Sequence, residues 1–298
     1  MNSTSNLPVH SIRLIMSDYI ALMKPRIIVL LLVTATGGML LASQGLPPIS
    51  IIVSVLFGGA LTAGGASALN HGADRDIDRL MPRTAGRPVA NERLSVRDAF
   101  IFGIALNIIG FLLLWWQSNL LSGALAISGT FIYLVIYTKW LKRTTIHNIV
   151  IGGAAGAMPP LVGWAAVNGG LSLSAFYLFA IIFFWTPPHF WALALLLRRD
   201  YASAGIPMLP VVEGVKRTKL AILLYTILLF ILTVLLFLSS NILGLYYLIA
   251  VMLLSGLFFL FALRLYLSSE QYSAGFLYRY SLLYLALVFG VIMVESVI

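Results

Sequence analysis

The sequence contains no cysteine among its 298 residues. That absence excludes disulfides, thiolate nucleophiles, iron–sulfur clusters and cysteine-ligated zinc. Charged residues are also scarce, at 10% of the chain, whereas a soluble domain carries about 25%. Hydrophobic residues make up 60%, against about 45–50% in a soluble domain. The two departures exclude an ordinary soluble globule, a disordered chain and a disulfide-stapled secreted module, and they indicate a polytopic membrane protein.

Nine apolar stretches are each long enough to cross a bilayer, which takes about 20 mainly apolar residues. We predict an all-α membrane protein with nine transmembrane helices, at about residues 27–43, 50–70, 98–116, 120–138, 147–167, 173–195, 219–238, 243–263 and 277–295. The sequence shows no internal repeat and no second domain, so we expect one membrane domain over residues 1–298. Residues 1–26 lack the apolar core of a signal peptide and are predicted to form an exposed cytoplasmic arm.

All 19 lysines and arginines fall on one side of this nine-span arrangement. The alternate loops contain none of them; these loops are residues 44–49, 117–119, 168–172 and 239–242. The positive-inside rule therefore predicts a cytoplasmic N-terminus and a C-terminus on the outside. In a soluble protein, a net charge of +9 would suggest nucleic-acid binding. Here the aromatic residues lie inside apolar runs, so we expect no nucleic-acid partner.

Nine of the ten acidic residues, Glu270 among them, lie on the same side as the basic ones. Glu295 is the exception. The positive-inside rule accounts for lysine and arginine but not for carboxylates. The accumulation of carboxylates therefore indicates that the cytoplasmic face carries chemistry.

The densest polar segment lies between the second and third spans. Asn70, Asp74 and Asp78 are four residues apart, so on a helix they share one face, and Asp76 points away from it. Pro82 disfavours a longer helix. Amide and carboxylate oxygens suit Mg²⁺, and arginine side chains suit phosphate. The pattern predicts a site that neutralises a departing diphosphate; the alternative is an interfacial helix whose ion pairs serve topology alone.

At these residues the chain resembles the UbiA superfamily of intramembrane prenyltransferases. The similar motif is Asn70-x3-Asp74-x3-Asp78, followed by Arg83 and Arg87. Four further blocks are similar to the haem-farnesylating subfamily, the protohaem IX farnesyltransferases; they lie at residues 137–145, 152–160, 187–193 and 200–212. The resemblance extends from about residue 18 to the last span, which is nearly the whole chain.

The resemblance implies nine helices around a central cavity with a cytoplasmic cap, in the inner membrane. It implies that farnesyl diphosphate donates its farnesyl group to a vinyl group of haem b, with addition of water. Mg²⁺ is the implied cofactor, held by Asn70, Asp74 and Asp78. Assembly proteins of cytochrome oxidase, or haem A synthase, are a further expected class of partner beside the lipid bilayer.

The resemblance also places site residues in the two long cytoplasmic loops, residues 71–97 and 198–218, and next to them. The side chains expected to bind diphosphate are Arg83, Arg87, Lys139, Lys216 and Arg217. In many relatives the second loop carries another aspartate motif. Here it offers Asp200 as a metal ligand, but Ala204 stands where that motif needs its next carboxylate.

Two histidines are candidate haem contacts. His189 follows two prolines inside a predicted span, where a polar ring is costly and usually functional. The alternative is a histidine that bonds to a carbonyl group freed by the prolines. His147, at the start of the fifth span, is the second candidate.

Two other functions stay open from the sequence. One is a prenyltransferase that acts on an aromatic quinone precursor. The other belongs to a different class, a membrane transporter whose intramembrane prolines and glycines mark a substrate path. Against transport, the middles of the spans hold almost no ionisable residues and no inverted repeat is visible.

Overall fold

The computed structural model describes residues 9–268 and 272–298. Within these ranges every regular element is a helix. The helices are α1 (Val9–Met23), α2 (Pro25–Ser43), α3 (Ile49–Ala73), α4 (Arg75–Leu80), α5 (Val96–Gln117), α6 (Leu120–Phe131), a π-helix (Ile132–Leu141), α7 (Lys142–Thr144), α8 (Asn148–Asn168), α9 (Leu173–Leu196), α10 (Arg198–Ser203), α11 (Leu209–Val212), α12 (Gly214–Ser239), α13 (Leu245–Leu267) and α14 (Tyr272–Glu295). The first eight residues of the predicted arm, and Glu270, lie outside the described residues.

Nine helices in the described ranges are long and apolar enough to cross a membrane, which confirms the predicted number. The fourth span is continuous from Leu120 to Thr144, because α6, the π-helix and α7 follow each other without a break. Several spans extend past their predicted ends at the side that carries the basic residues; α12, for example, begins at Gly214 rather than at residue 219. The end of an apolar run marks where a chain leaves the membrane, whereas a helix continues for as long as its backbone groups can form hydrogen bonds within it.

The nine spans form a ring in chain order, and α14 packs against α2 to close it. The largest core cluster lies among α8, α9, α12, α13 and α14. Below, the end of the ring where α3 ends and α8 begins is called the basic face. Its predicted cytoplasmic orientation stays a prediction.

The ring is tightly closed in the half away from the basic face. A side chain on Gly38 of α2 would collide with the backbone of Pro160 in α8, and one on Gly163 would collide with the backbone of Ala35. Small residues allow helix backbones to approach this closely in membranes. Two turns nearer the basic face on α8, a Cβ on Gly156 would meet no atom within 4 Å. Gly156 lies two turns from Gly163 on the same face of α8, so this face has room beside it towards the basic face.

The predicted arm contains a helix, α1, which lies outside the ring and packs against α3. Its exposed apolar side chains include Ile12, Leu14, Ile15, Met16 and Ile20. Such a face suits a helix that lies in the membrane interface. Between α1 and α2 the chain turns at Lys24, which has left-handed backbone angles (φ 55°, ψ 61°).

Candidate functional site

Asn70, Asp74 and Asp78 form a buried ridge at the basic face, and we use that name for these three residues. Although α3 ends at Ala73, the backbone N–H of Asp74 still donates to the carbonyl of Asn70, at 2.9 Å. The N–H of Asp78 donates to the carbonyl of Asp74 at 2.8 Å, so the four-residue spacing survives the junction. Each ridge residue is at most 3% exposed. Asp76 points away, as predicted, with a side chain that is 63% exposed.

The first two ridge residues contact each other directly. The Asn70 amide Nδ2 donates to Oδ2 of Asp74 at 2.7 Å, and it also donates to the hydroxyl of Thr138 at 3.1 Å. Thr138 is fully buried on the π-helix, where its hydroxyl donates to the carbonyl of Tyr133 at 2.8 Å. Stretches of π-helix are rare and are frequent at functional sites. The fourth span therefore contacts the ridge, whose own residues lie on α3, on α4 and at the junction between them.

Arg87 neutralises the last ridge residue. Its Nη1 lies 2.8 Å from both carboxylate oxygens of Asp78. The loop that carries Arg87 returns to α4 because Arg79 donates to the carbonyl of Ala90 at 2.9 Å. On its other side, Arg93 binds the carboxylate of Asp18 in α1. Arg87, predicted from the sequence to bind diphosphate, thus contacts the ridge itself through Asp78; its role in diphosphate binding stays a prediction.

Two lysines that sequence reasoning did not assign to the site also contact the ridge. Lys24 Nζ donates to Oδ1 of Asn70 at 3.0 Å. Lys142 Nζ donates to Oδ2 of Asp74 at 2.6 Å. Their sequence gave only weak signals, since Lys24 precedes a helix-starting proline and Lys142 lies in the same block as the predicted Lys139. The contacts depend on how α2 and the fourth span pack against α3.

Positive charge exceeds negative charge inside this cluster. Lys24, Arg87 and Lys142 face the two carboxylates of the ridge. Burial, together with the nearby Arg87 guanidinium, lowers the pKa of Lys24 to about 7, although Asp78 and Asp74 act in the opposite direction. Lys24 is therefore only partly protonated near neutral pH, and an anionic ligand beside it would favour its charged form.

Asp74 retains one carboxylate oxygen with no hydrogen-bond partner. Its Oδ1 is buried, and Arg143 is 3.9 Å away, too far for a hydrogen bond. Arg143 is instead engaged with Asp76, and its hydrogen bonds hold the pKa of that carboxyl below its usual value. An unpaired buried acceptor costs free energy, and a cation bound to this oxygen would offset that cost.

The donor set of the ridge fits a hard divalent cation. Among the described residues, no three histidine, cysteine, aspartate or glutamate side chains are grouped to hold a metal. The ridge instead offers one amide and two carboxylates, and Mg²⁺ in proteins is bound by one or two carboxylates together with water and phosphate oxygens. The unpaired oxygen of Asp74 supports this fit.

Two tyrosines of the π-helix adjoin the ridge. Tyr133 and Tyr137 stack with ring centroids 5.9 Å apart. Tyr133 lies within electrostatic reach of Asp74 and Arg87, and Tyr137 fills the space beside Gly152 of α8. Both rings are half-buried. They place aromatic surface at the boundary between the charged cluster and the apolar interior.

The structure places the loop of residues 198–212 next to the arginine loop. Tyr201 is buried, and burial raises the pKa of its hydroxyl, while Arg83 acts in the opposite direction through charge and a hydrogen bond. Asp200 is half-buried and lies within electrostatic reach of Tyr201. Arg83 and Asp200 thus both lie close to Tyr201. Their predicted roles in diphosphate and metal binding stay predictions.

The structure does not bring four other predicted residues to the ridge. Lys139 is exposed, and so is His147, at the start of α8. Arg217 is exposed and pairs with Glu213. Lys216 lines a separate surface depression of about 490 Å³, together with Val215, Lys219, Tyr266 and Leu267. Among the residues that the structure describes, none of the four contacts the ridge, and their assignments to diphosphate or haem stay predictions.

His189 lies deeper, seven residues before the end of α9. Its Nδ1 is 2.6 Å from the hydroxyl of Ser281 in α14. The alternative considered above, a bond to a carbonyl freed by the prolines, therefore does not occur at Nδ1.

Comparisons with known proteins extend these observations. The profile of the UbiA prenyltransferase family matches residues 31–289. A protein named protoheme IX farnesyltransferase from Thermus thermophilus is 52% identical over 281 residues, which cover 94% of this chain and 46% of that protein. The chain thus spans about half the length of that relative. A protein of the same name from Picosynechococcus sp. is 45% identical, over 99% of this chain and 94% of its own length.

Solved structures share the fold. A digeranylgeranylglyceryl phosphate synthase matches with a TM-score of 0.79 at 19% identity, covering 95% of this chain and 98% of that one. A UbiA homolog from Archaeoglobus fulgidus bound to DMAPP and Mg²⁺ matches with a TM-score of 0.66 at 17% identity, covering 93% and 99%. At these identities the likeness concerns the arrangement of the helices alone.

Proposed function

Because the chain belongs to the UbiA prenyltransferase family, we propose that it transfers a farnesyl group from farnesyl diphosphate to a vinyl group of haem b. The relatives named protoheme IX farnesyltransferase support this pair of substrates. One observation carries the proposal: a buried cluster of three basic side chains and two carboxylates lies at the polar end of an apolar ring of helices, with one carboxylate oxygen lacking a hydrogen bond. That arrangement suits a molecule with an apolar body and a multiply charged anionic end.

The cationic side chains of the cluster would bind the diphosphate. Lys24, Arg87 and Lys142 each already donate to a ridge residue, so their positions are fixed before the substrate binds. Positioned donors stabilise charge that develops as a bond breaks, because they need no reorganisation at that moment. Charge-assisted hydrogen bonds to phosphate oxygens are also the stronger kind.

Asn70, Asp74 and Asp78 would hold Mg²⁺. The unpaired Oδ1 of Asp74 supports this assignment, and so does the Archaeoglobus homolog of the same fold, which was solved with DMAPP and Mg²⁺. When bound, the ion would neutralise negative charge on the diphosphate. The chain's own contribution is to keep the three oxygen-bearing side chains on one face.

The proposed reaction breaks the bond between farnesyl C1 and the diphosphate oxygen, and the diphosphate leaves with the electron pair. The vinyl π electrons of haem then form the new carbon–carbon bond to C1. Water adds to the resulting cation and releases a proton, which completes the hydroxyethylfarnesyl side chain. Tyr133 and Tyr137 border the space between the charged cluster and the interior. Their faces would stabilise the allylic cation, and the apolar ring would exclude early water.

In this proposal the basic face is the cytoplasmic side of the inner membrane, where the positive-inside rule places it. Farnesyl diphosphate would reach the ridge from that side while its apolar tail lies in the ring. Assembly proteins of cytochrome oxidase, or haem A synthase, would take the product.

The acceptor can be identified directly. Membranes that contain the full chain are supplied with farnesyl diphosphate and Mg²⁺, and with either haem b or an aromatic quinone precursor. Mass analysis of the extracted acceptors should show haem b heavier by a farnesyl group and a hydroxyl group. A prenylated quinone precursor with unchanged haem would select the other prenyltransferase function. No product with either acceptor would refute prenyl transfer to both.

A further inference from the structure

His189 is held on both faces by aromatic rings. The indole of Trp185, one turn earlier in α9, stacks on it with centroids 4.4 Å apart at 15°. The ring of Tyr278 in α14 covers the other face at 4.9 Å and 26°. Trp185 is itself fixed, because its Nε1 donates to the carbonyl of Ser281 at 2.8 Å. The imidazole plane is therefore set by two helices.

The hydrogen bonds of Ser281 determine which imidazole nitrogen carries the proton. The hydroxyl of Ser281 lies 2.6 Å from the carbonyl of Tyr278, which can only accept. A serine hydroxyl has a single proton, so it is used in that bond. The same oxygen lies 2.6 Å from Nδ1 of His189 and must accept there. In the neutral ring, Nδ1 is therefore protonated and Nε2 carries the lone pair.

Nε2 of His189 has no hydrogen-bond partner among the described residues, and it is not among the buried polar atoms that lack one. Nε2 therefore keeps part of its surface accessible. A tie between α9 and α14 would not need this exposed lone pair, since Trp185 and Ser281 already join the two helices. A neutral imidazole that is oriented through its other nitrogen is the form that ligates metals in proteins.

We propose that Nε2 of His189 is an axial ligand to the iron of haem b, with Ser281 as its positioning residue. The inference rests on the proposed function for the identity of the haem substrate. His189 lies seven residues from the end of α9, a depth of about 10 Å at 1.5 Å per residue. Iron at that depth would keep the haem macrocycle among the apolar helices of the ring, while the haem carboxylates would extend towards the basic face.

The test is spectroscopic and needs no prenyl donor. The purified full chain is mixed with haem b, and the ferrous complex is examined by resonance Raman and absorption spectroscopy. The wild type should show an iron–histidine stretching band. H189A should lose this band and bind haem about tenfold more weakly or worse, and added imidazole should restore the ligated absorption spectrum. A wild type without the band, or H189A that keeps it, overturns the proposal.

Two further variants locate the effect. H147A changes the other predicted haem histidine, which is exposed, and it should keep the band; loss in H147A but not in H189A would overturn the assignment. S281A should keep the band at a shifted frequency, because the imidazole loses its oriented hydrogen bond. A purely structural serine would lower thermal stability and leave that frequency unchanged, which would overturn its positioning role.

The outcome is separable from that of the proposed function. Haem that shows the His189-dependent band but is never farnesylated would leave the ligation standing and refute the transfer. Farnesylated haem formed by a wild type without the band would leave the transfer standing and refute the ligation.

Discussion

Lys142 Nζ lies 2.6 Å from Oδ2 of Asp74, and this carboxylate is only 1% exposed. The same oxygen accepts a hydrogen bond from Asn70, so an amide and an ammonium converge on one side of the carboxylate. The opposite oxygen, Oδ1, stays unpaired. Lys142 therefore fixes the orientation of Asp74 and adds to the surplus positive charge that would receive a diphosphate.

The first prediction separates two lysines of one sequence block. K142Q should raise the KM for farnesyl diphosphate by roughly ten- to a hundredfold, since a hydrogen bond to a charged group contributes about 1.5–3 kcal/mol. K139Q tests the lysine that the sequence favoured. Lys139 is exposed, and within the described part of the chain it has no hydrogen bond or ion pair to the ridge, so we expect a change of less than about twofold. Steady-state kinetics with varied farnesyl diphosphate measures both. A larger effect in K139Q would reverse the assignment.

Lys24 and Lys142 illustrate what the sequence could and could not predict. The nine spans were predictable because each depends on a local run of apolar residues. The ridge was predictable because its members lie on consecutive turns of one chain segment. Lys24 and Lys142 are 46 and 68 residues away from the groups they contact, so their roles depend on helix packing. A π-helix also alters the phase of the fourth span, which the apolar pattern of the sequence does not show.

The second prediction concerns the pair of Arg87 and Asp78. Asp78 has a side chain that is 4% exposed, so R87A leaves a buried carboxylate without its cation. We expect R87A to lower the free energy of unfolding by about 3 kcal/mol, and R87A/D78A to lower it by less, because the double variant removes the uncompensated charge. Thermal unfolding in detergent compares them. A double variant no more stable than R87A would contradict the interpretation.

R87A should also raise the KM for farnesyl diphosphate, because Arg87 is one of the three cations of the cluster. A thermally stable R87A with unchanged kinetics would remove Arg87 from the site. R93A is the matched control: Arg93 lies in the same loop but pairs with Asp18 of α1, away from the ridge. It should leave the KM within about twofold of wild type.

The third prediction tests the room beside Gly156 on α8. G38A should destabilise the protein by about 1–3 kcal/mol or more, because its new methyl group meets the backbone of Pro160. G156A should not, since a Cβ there meets no atom within 4 Å. G156F should then fold normally but bind its substrates poorly, because the phenylalanine side chain would occupy space that a substrate needs. A G156F variant with wild-type activity would show that this space is not used.

The most direct test of the central claim compares two aspartates of one helical segment. Membranes with wild type, D74A or D76A receive haem b, farnesyl diphosphate and Mg²⁺, and the farnesylated haem is measured by mass. Asp74 is buried on the ridge, whereas the side chain of Asp76 is 63% exposed and points away. The account predicts that D74A loses at least about a hundredfold in rate, a loss of the size seen when a group that stabilises developing charge is removed. It also predicts that chelation of Mg²⁺ stops the wild type and that D76A stays within a few-fold of it. Equal activity of D74A and wild type, or full activity without divalent metal, would contradict it.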